Sequence, residues 1–196
     1  MHIYLDLFLN ADNNYPQCEP GFTTLSFSPT SIQEEAHKMQ RLNYFSLATP
    51  AFQYLGGIDQ YCKKSSMDQT IMRLVQIYAS QLNGCAFCVD IHCKEAKIAG
   101  ERELRIYHVP TWQESPLFSE REKLAFEWTK AVTLINQGPV SDELFERMQQ
   151  HFSDQEIVDL NMQIAFINLF NRFAATFKSV PGERDKVLGL ERANLS

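Results

Sequence analysis

The stretch from residue 81 to residue 92 reads QLNGCAFCVDIH. Its polar Asn-Gly pair ends one predicted helix and places Cys85 at the start of the next. Cys85 and Cys88 are three residues apart on one helical face, close enough to form a disulfide bond without unfolding. His92 follows four residues after Cys88, so we expect it on the same face, one turn further along.

Apolar residues recur with a helical period of 3.6 through most of the rest of the chain. The pattern predicts helices at residues 31–44, 50–62, 68–83, 86–99, 101–108, 119–136, 141–151 and 154–178. Ser-x-x-Glu runs that begin at Ser31, Ser119 and Ser153 fit the capping box of a helix N-terminus. No stretch shows the two-residue alternation of a strand. The sequence therefore predicts an all-α, single-domain bundle of about seven to eight helices.

Three regions differ in composition. Residues 1–29 contain closely spaced Asn, Pro and Gly turn signals and predict an irregular N-terminal arm, while residues 30–180 form the helical domain. Residues 181–196 have mixed charges and predict a C-terminal tail on the surface. The last long helix is apolar over most of its circumference, which indicates burial at the centre of the fold or at an interface between subunits, and is consistent with a homo-oligomer.

The charge, apolar runs and cysteine content of the chain argue against nucleic-acid-binding, membrane-spanning and secreted proteins. The 196 residues contain 18 Lys+Arg and 24 Asp+Glu, giving a net charge of −6, which argues against a nucleic-acid partner. No apolar run approaches the roughly 20 residues of a membrane-spanning helix. The first ten residues contain Asp6 and no basic residue, so they resemble no signal peptide. With five irregularly spaced cysteines, we expect a reducing, cytoplasmic compartment.

Spacing alone leaves three interpretations of the cysteine pair open. A helix N-terminus and a nearby imidazole favour thiolate, so Cys85 and Cys88 could act as a redox dithiol with His92 beside them. The same three residues could form half of a zinc site, but no second Cys or His pair at ligand spacing supplies the rest. The cysteines could also be buried and inert. The spacing favours redox chemistry; no metal is predicted, and no phosphate loop or dinucleotide fingerprint predicts a cofactor.

Residues 80–101, which contain this motif, resemble the core motif of the alkylhydroperoxidase D and carboxymuconolactone decarboxylase family. The resemblance continues through residues 112–118, 124–133 and 167–172, and so covers about residues 30–180. It implies an all-helical fold and a homo-oligomer, often a trimer or hexamer. It also implies a thiol peroxidase of the alkylhydroperoxide reductase type in antioxidant defence, because the decarboxylases of the family generally lack the cysteine pair.

The resemblance implies a role for each residue of the motif. Cys88 would be the attacking thiolate, Cys85 the resolving thiol, and His92 part of a proton relay. The partners would be a hydroperoxide substrate and a dithiol electron donor. The pairing of Cys88 with His92 four residues later agrees with this order.

Two positions depart from the family pattern. Arg73 stands where the relay usually has a glutamate, twelve residues before the first cysteine, and Phe87 stands where alkylhydroperoxidase D has a histidine. Arginine cannot transfer a proton at neutral pH. Glu95, three residues after His92, could orient the imidazole, although the sequence favours a solvated carboxylate there.

Three alternative functions therefore stay open from the sequence. One is a disulfide reductase or redox sensor on the same scaffold, which the arginine at the relay position motivates. Another is a lactone enzyme of the carboxymuconolactone decarboxylase type, in which the cysteines would be incidental. The last is a zinc-stabilised interaction domain.

Overall fold

The computed structural model describes residues 40–195, and within that range every regular element is a helix. The α-helices are α1 Tyr44–Leu47, α2 Thr49–Lys64, α3 Gln69–Leu82, α4 Ala86–Ile98, α5 Glu103–His108, α6 Glu120–Thr133, α7 Asp142–His151, α8 Asp154–Phe177 and α9 Asp185–Leu188. Short 3-10 turns lie at Val109–Thr111, Ile135–Gln137 and Glu191–Ala193. Seven of these α-helices have six or more residues, so the predicted all-α bundle is confirmed.

Both capping boxes that fall within residues 40–195 are present. The Ser119 hydroxyl accepts from the Glu122 N–H at 3.3 Å, and Glu122 Oε2 accepts from the Ser119 N–H at 2.8 Å. Ser153 and Glu156 make the same reciprocal pair at the start of α8. Each box satisfies two backbone donors that the first helical turn leaves free.

Part of the sequence prediction lies outside the described residues. These parts are the N-terminal arm at 1–29, the capping box at Ser31, Cys18 and residues 31–39 of the first predicted helix. Residues 40–43 of that helix are not helical, and α1 begins at Tyr44. Among the described helices, none is both long and apolar enough to cross a membrane.

Helix α3 lies at the centre of the bundle and packs against α4, α6 and α8. Its side chains are buried on several faces, with Val75, Ile77 and Ala79 completely inaccessible. Helix α8 contacts α2, α3, α4, α6 and α7, which accounts for much of its apolar surface, while Val158 and Met162 of this helix are exposed. The homo-oligomer stays a prediction. The central position of α3 places the turn that follows it, and therefore Cys85, inside the bundle.

The segment after α8 packs on α4. The Lys94 ammonium lies between Asp90 and Asp185 at 2.7 and 2.6 Å, and its side chain is only 8% exposed. The Gly182 N–H donates to Asp90 at 2.9 Å. Residues within 181–196, which the sequence predicts as a surface tail, thus cover part of α4. Leu190 of this segment is itself buried.

Candidate active site

A Schellman turn delivers Cys85 to the start of α4. Gly84 has a φ of 62°, a left-handed conformation that glycine adopts without steric cost. The Gly84 N–H donates to Gln81 O at 3.0 Å and the Cys85 N–H donates to Ser80 O at 2.9 Å, the two bonds that define this motif. The Asn-Gly-Cys sequence therefore ends one helix and begins the next with no intervening loop.

Cys85 caps α4 and is bonded to Cys88. The Cys85 sulfur accepts from the Cys88 N–H at 3.4 Å, the place that a serine cap would occupy. Cys85 and Cys88 form a disulfide, with Cα atoms 5.4 Å apart, inside the usual range of about 4.4–6.8 Å. Both side chains are buried. The predicted proximity of the two cysteines on one face of the helix is confirmed.

Buried amides hold this turn against α8. Asn83 Nδ2 lies 2.9 Å from Oδ1 of both Asn168 and Asn171, and the Asn171 amide donates to the Ser80 hydroxyl at 3.1 Å. Asn168 and Asn171 are buried, where an unpaired amide would be costly. The network therefore fixes the end of α3, and with it the position of Cys85, relative to α8.

A cavity of about 580 Å³ lies beside Cys88. Cys88, His92, Glu95 and Arg73 line it, whereas Cys85 does not. The three residues that the sequence singled out thus share one helix, but only two of them face the cavity. Apolar residues supply much of the remaining wall, among them Phe45, Phe52, Leu55, Phe87, Ile91, Phe166, Ile167 and Phe170.

Glu95 holds the imidazole of His92. Its Oε2 lies 2.7 Å from His92 Nδ1. Burial acts to raise the pKa of Glu95, but the hydrogen bond and charge of His92, with Lys63 and Arg73 nearby, lower the pKa below its ordinary value. The ionised carboxylate can only accept, so Nδ1 carries the hydrogen and Nε2 is left to exchange a proton. The Glu95 side chain is 40% exposed, so the carboxylate is partly solvated as the sequence favoured, and it also orients the imidazole, the role that the sequence left open.

Arg73 extends from α3 into the wall of the same cavity. Its side chain is partly buried, and within residues 40–195 it forms no ion pair. The position where the resemblance places a relay glutamate therefore has an arginine in the cavity wall. Glu95, from the cysteine helix itself, is the carboxylate that reaches His92.

The remaining described cysteines lie apart from the pair. Cys93 follows His92 directly but packs on the other side of α4, against the apolar cluster of Leu74 and Ile77. Burial, and secondarily the charge of Asp90, raise the pKa of Cys93 to about 11. Cys62 is buried in α2, and burial also raises its pKa. Both are therefore protonated at neutral pH and poor nucleophiles.

The zinc interpretation lacks a ligand set in the described part of the chain. No group of three or more His, Cys, Asp or Glu side chains could hold a metal ion within residues 40–195. A structural zinc site needs four ligands converging on one point.

Comparison with known proteins agrees with this architecture. A sequence profile of the carboxymuconolactone decarboxylase family matches residues 49–131, from α2 to α6. The uncharacterized protein YdfG of Bacillus subtilis (strain 168) is 38% identical over 135 residues, which are 69% of this chain and 92% of YdfG. The chain belongs to the carboxymuconolactone decarboxylase family. The predicted family resemblance is confirmed, and the matched segment contains Cys85, Cys88 and His92.

Two other proteins are similar to this chain in sequence or structure. The uncharacterized protein YnjA of Escherichia coli (strain K12) is 36% identical over 121 residues, covering 61% of this chain and 64% of YnjA. A crystal structure of a protein of unknown function from Agrobacterium tumefaciens shares 38% identity with a TM-score of 0.69, over 71% of this chain and 96% of that one. That protein has been related to the antioxidant defence protein AhpD.

Proposed function

We propose that this member of the carboxymuconolactone decarboxylase family is a cofactor-free dithiol peroxidase that reduces hydroperoxides. One observation carries the proposal: of two cysteines bonded to each other, only Cys88 lines the cavity that also contains His92 and Glu95. A nucleophile must reach its substrate, whereas a resolving thiol needs only to reach the nucleophile. The relation of the Agrobacterium protein to AhpD supports the same chemistry.

In the first step the Cys88 thiolate attacks the terminal oxygen of the hydroperoxide. The O–O bond breaks, Cys88 becomes a sulfenic acid, and the other oxygen leaves as an alkoxide. A proton donor must neutralise this alkoxide as it leaves. His92 Nε2 can take the proton of the Cys88 thiol, which forms the thiolate, and then return it to the alkoxide, since Nδ1 is engaged by Glu95.

In the second step the Cys85 thiol attacks the sulfenic sulfur of Cys88. The disulfide forms and water leaves, so one hydroperoxide has been reduced to an alcohol and two thiols have been oxidised. A dithiol donor then reduces the disulfide by exchange and is itself oxidised to a disulfide.

The order of the two cysteines can be tested by trapping the first intermediate. Reduced Cys85→Ser protein is treated with one equivalent of cumene hydroperoxide and then with dimedone. We expect mass spectrometry to find the sulfenic-acid adduct on Cys88, because no resolving thiol remains to consume it. Wild type treated in the same way is expected to give the Cys85–Cys88 disulfide instead.

The Cys88→Ser variant is the matched control and should give no adduct at Cys85. An adduct at Cys85 in that variant, with none at Cys88 in Cys85→Ser, would reverse the assigned roles. If wild type forms neither a disulfide nor a sulfenic acid, the peroxidase proposal fails.

Replacing Glu95 by glutamine is expected to slow sulfenic-acid formation about tenfold, because a neutral amide still accepts from Nδ1 but gives less support to a charged imidazole. Single-turnover rates with cumene hydroperoxide measure this effect. Glu103→Gln is the control, since that exposed glutamate pairs with Lys97 outside the cavity. Equal rates for Glu95→Gln and wild type would show that the pair with His92 plays no part in the first step.

Arg73 favours a second candidate, a disulfide reductase on the same site. A cation in the cavity that Cys88 also lines would stabilise a thiolate leaving group as well as a thiolate nucleophile. Reduction of a generic aromatic disulfide, compared with consumption of cumene hydroperoxide, separates the two activities. A lactone enzyme would instead keep its full activity when both cysteines are replaced by serine.

A further inference from the structure

The cavity beside Cys88 is much larger than hydrogen peroxide requires. Its volume of about 580 Å³ lies in the range of roughly 300–1,000 Å³ typical of pockets for drug-sized ligands, whereas one water molecule occupies about 30 Å³. Phe52 from α2, Phe87 from α4 and Phe170 from α8 contribute apolar surface to the wall. The space therefore fits an organic molecule with a substantial apolar body.

More cationic than acidic side chains line the cavity. Four cationic residues and two acidic ones line the cavity, namely Lys63, Arg73, Arg184 and Arg192, and Asp59 and Glu95. The whole chain, by contrast, has a net charge of −6. Cations are thus concentrated at this cavity in an otherwise acidic protein, which raises the local concentration of anions.

Neighbouring side chains already bind both acidic residues. Asp59 lies 2.7 Å from Lys63 Nζ, and Glu95 contacts His92. Arg184 lies over the ring of Phe45, 4.8 Å from its centroid. Arg73 and Arg184 are the two partly buried cations of the wall, and Arg73 has neither an aromatic ring beneath it nor a carboxylate of residues 40–195 paired with it.

Arg73 lies in a polar strip of α3. Gln69, Arg73 and Gln76 follow one another at helical spacing, and all three line the cavity. A guanidinium group matches a carboxylate in shape and can donate two parallel hydrogen bonds to it. A cavity with aromatic walls and a guanidinium group in this polar strip suits a ligand that is apolar along its body and anionic at one end.

We propose that the substrate is an apolar organic hydroperoxide that also carries a carboxylate, and that Arg73 binds this carboxylate. The inference rests on the proposed peroxidase activity for its reaction, but the carboxylate site can be tested without turnover. Arg73 thereby acquires a role in specificity at the position where the family usually has a proton-relay glutamate.

The binding test uses oxidised wild-type protein and two probes matched in their apolar chain, decanoate and decan-1-ol. Calorimetric titration should show that Arg73→Gln weakens decanoate binding about 10- to 100-fold, the range for a lost hydrogen-bonded ion pair. The affinity for decan-1-ol should change less than about twofold, because this probe makes no ion pair. Arg147→Gln, which removes an exposed arginine paired with Glu127, is the control and should change neither affinity.

A turnover test then separates the two proposals. Wild type should have a kcat/KM about tenfold or more higher for a carboxylated hydroperoxide than for its methyl ester, and Arg73→Gln should bring the ratio of the two values close to one. An effect of Arg73 on the Cys88 thiolate would change both values by the same factor and leave this ratio unchanged. Equal use of acid and ester by wild type, or loss of the preference in Arg192→Gln but not in Arg73→Gln, would overturn the assignment of Arg73. If decanoate binding depends on Arg73 but neither hydroperoxide is consumed, the carboxylate site stands and the peroxidase proposal fails.

Discussion

Replacing Cys88 by serine is expected to lower the rate of hydroperoxide consumption by at least about 10³-fold, because a serine hydroxyl at neutral pH cannot replace a thiolate as nucleophile. Serine is close to cysteine in size, so the buried start of α4 should stay folded. The rate is measured as loss of cumene hydroperoxide with dithiothreitol as the dithiol donor. The uncatalysed reaction is subtracted.

Cys93→Ser is the matched control for this variant. Cys93 lies on the same helix and directly follows His92, but it packs away from the cavity and its thiol has a pKa of about 11. Its replacement should change the rate less than about twofold. A Cys88→Ser protein that keeps more than a tenth of the wild-type rate would remove Cys88 from the role of nucleophile. Circular dichroism confirms that both variants are folded.

Replacing Lys94 by methionine is expected to lower the free energy of unfolding by about 3 kcal/mol, because it leaves two partly buried carboxylates facing each other without a cation. Asp90 and Asp185 both contact the Lys94 ammonium. Burial acts to lower the pKa of Lys94, but its bonds to the two carboxylates raise it overall, so the residue is charged at neutral pH. Urea unfolding followed by circular dichroism measures the change.

Lys97→Met is the matched control, because it removes a more exposed ion pair three residues later in α4. The Lys97 and Glu103 side chains are 26% and 44% exposed, so their ion pair should contribute less than about 1 kcal/mol. Equal destabilisation by the two substitutions would mean that Lys94 does not hold the C-terminal segment on α4. Limited proteolysis after residue 181 gives a second readout, since loss of the Lys94 contacts should expose that segment.

Local interactions explain why much of this site could be predicted. The capping boxes at Ser119 and Ser153, the Asn-Gly turn, and the placement of Cys85 at the N-cap of α4 with Cys88 and His92 within the helix depend only on short-range spacing. In each case the residues lie within seven positions of one another. Helical geometry then determines which of these side chains are neighbours.

Spacing alone could not predict whether Glu95 contacts His92. Its spacing from His92 permits a contact, but the same spacing is common on solvated helical faces. The charge around Glu95 depends on α2 and α3, because Lys63 and Arg73 from these helices lie close enough to lower the pKa of the carboxylate. The C-terminal segment is a similar case, because the contact between Lys94 and Asp185 joins residues 91 positions apart.

The sequence by itself determined the helical class and the proximity of the paired cysteines, because both depend on short-range spacing. It indicated the family through a resemblance that covers about residues 30–180. Tertiary structure alone decided that Cys88 and not Cys85 faces a cavity, and that Arg73 from a different helix shares it. The physical reason is that a cavity is formed by side chains from several helices at once. Its shape and charge depend on how those helices pack, which no periodicity within one helix specifies.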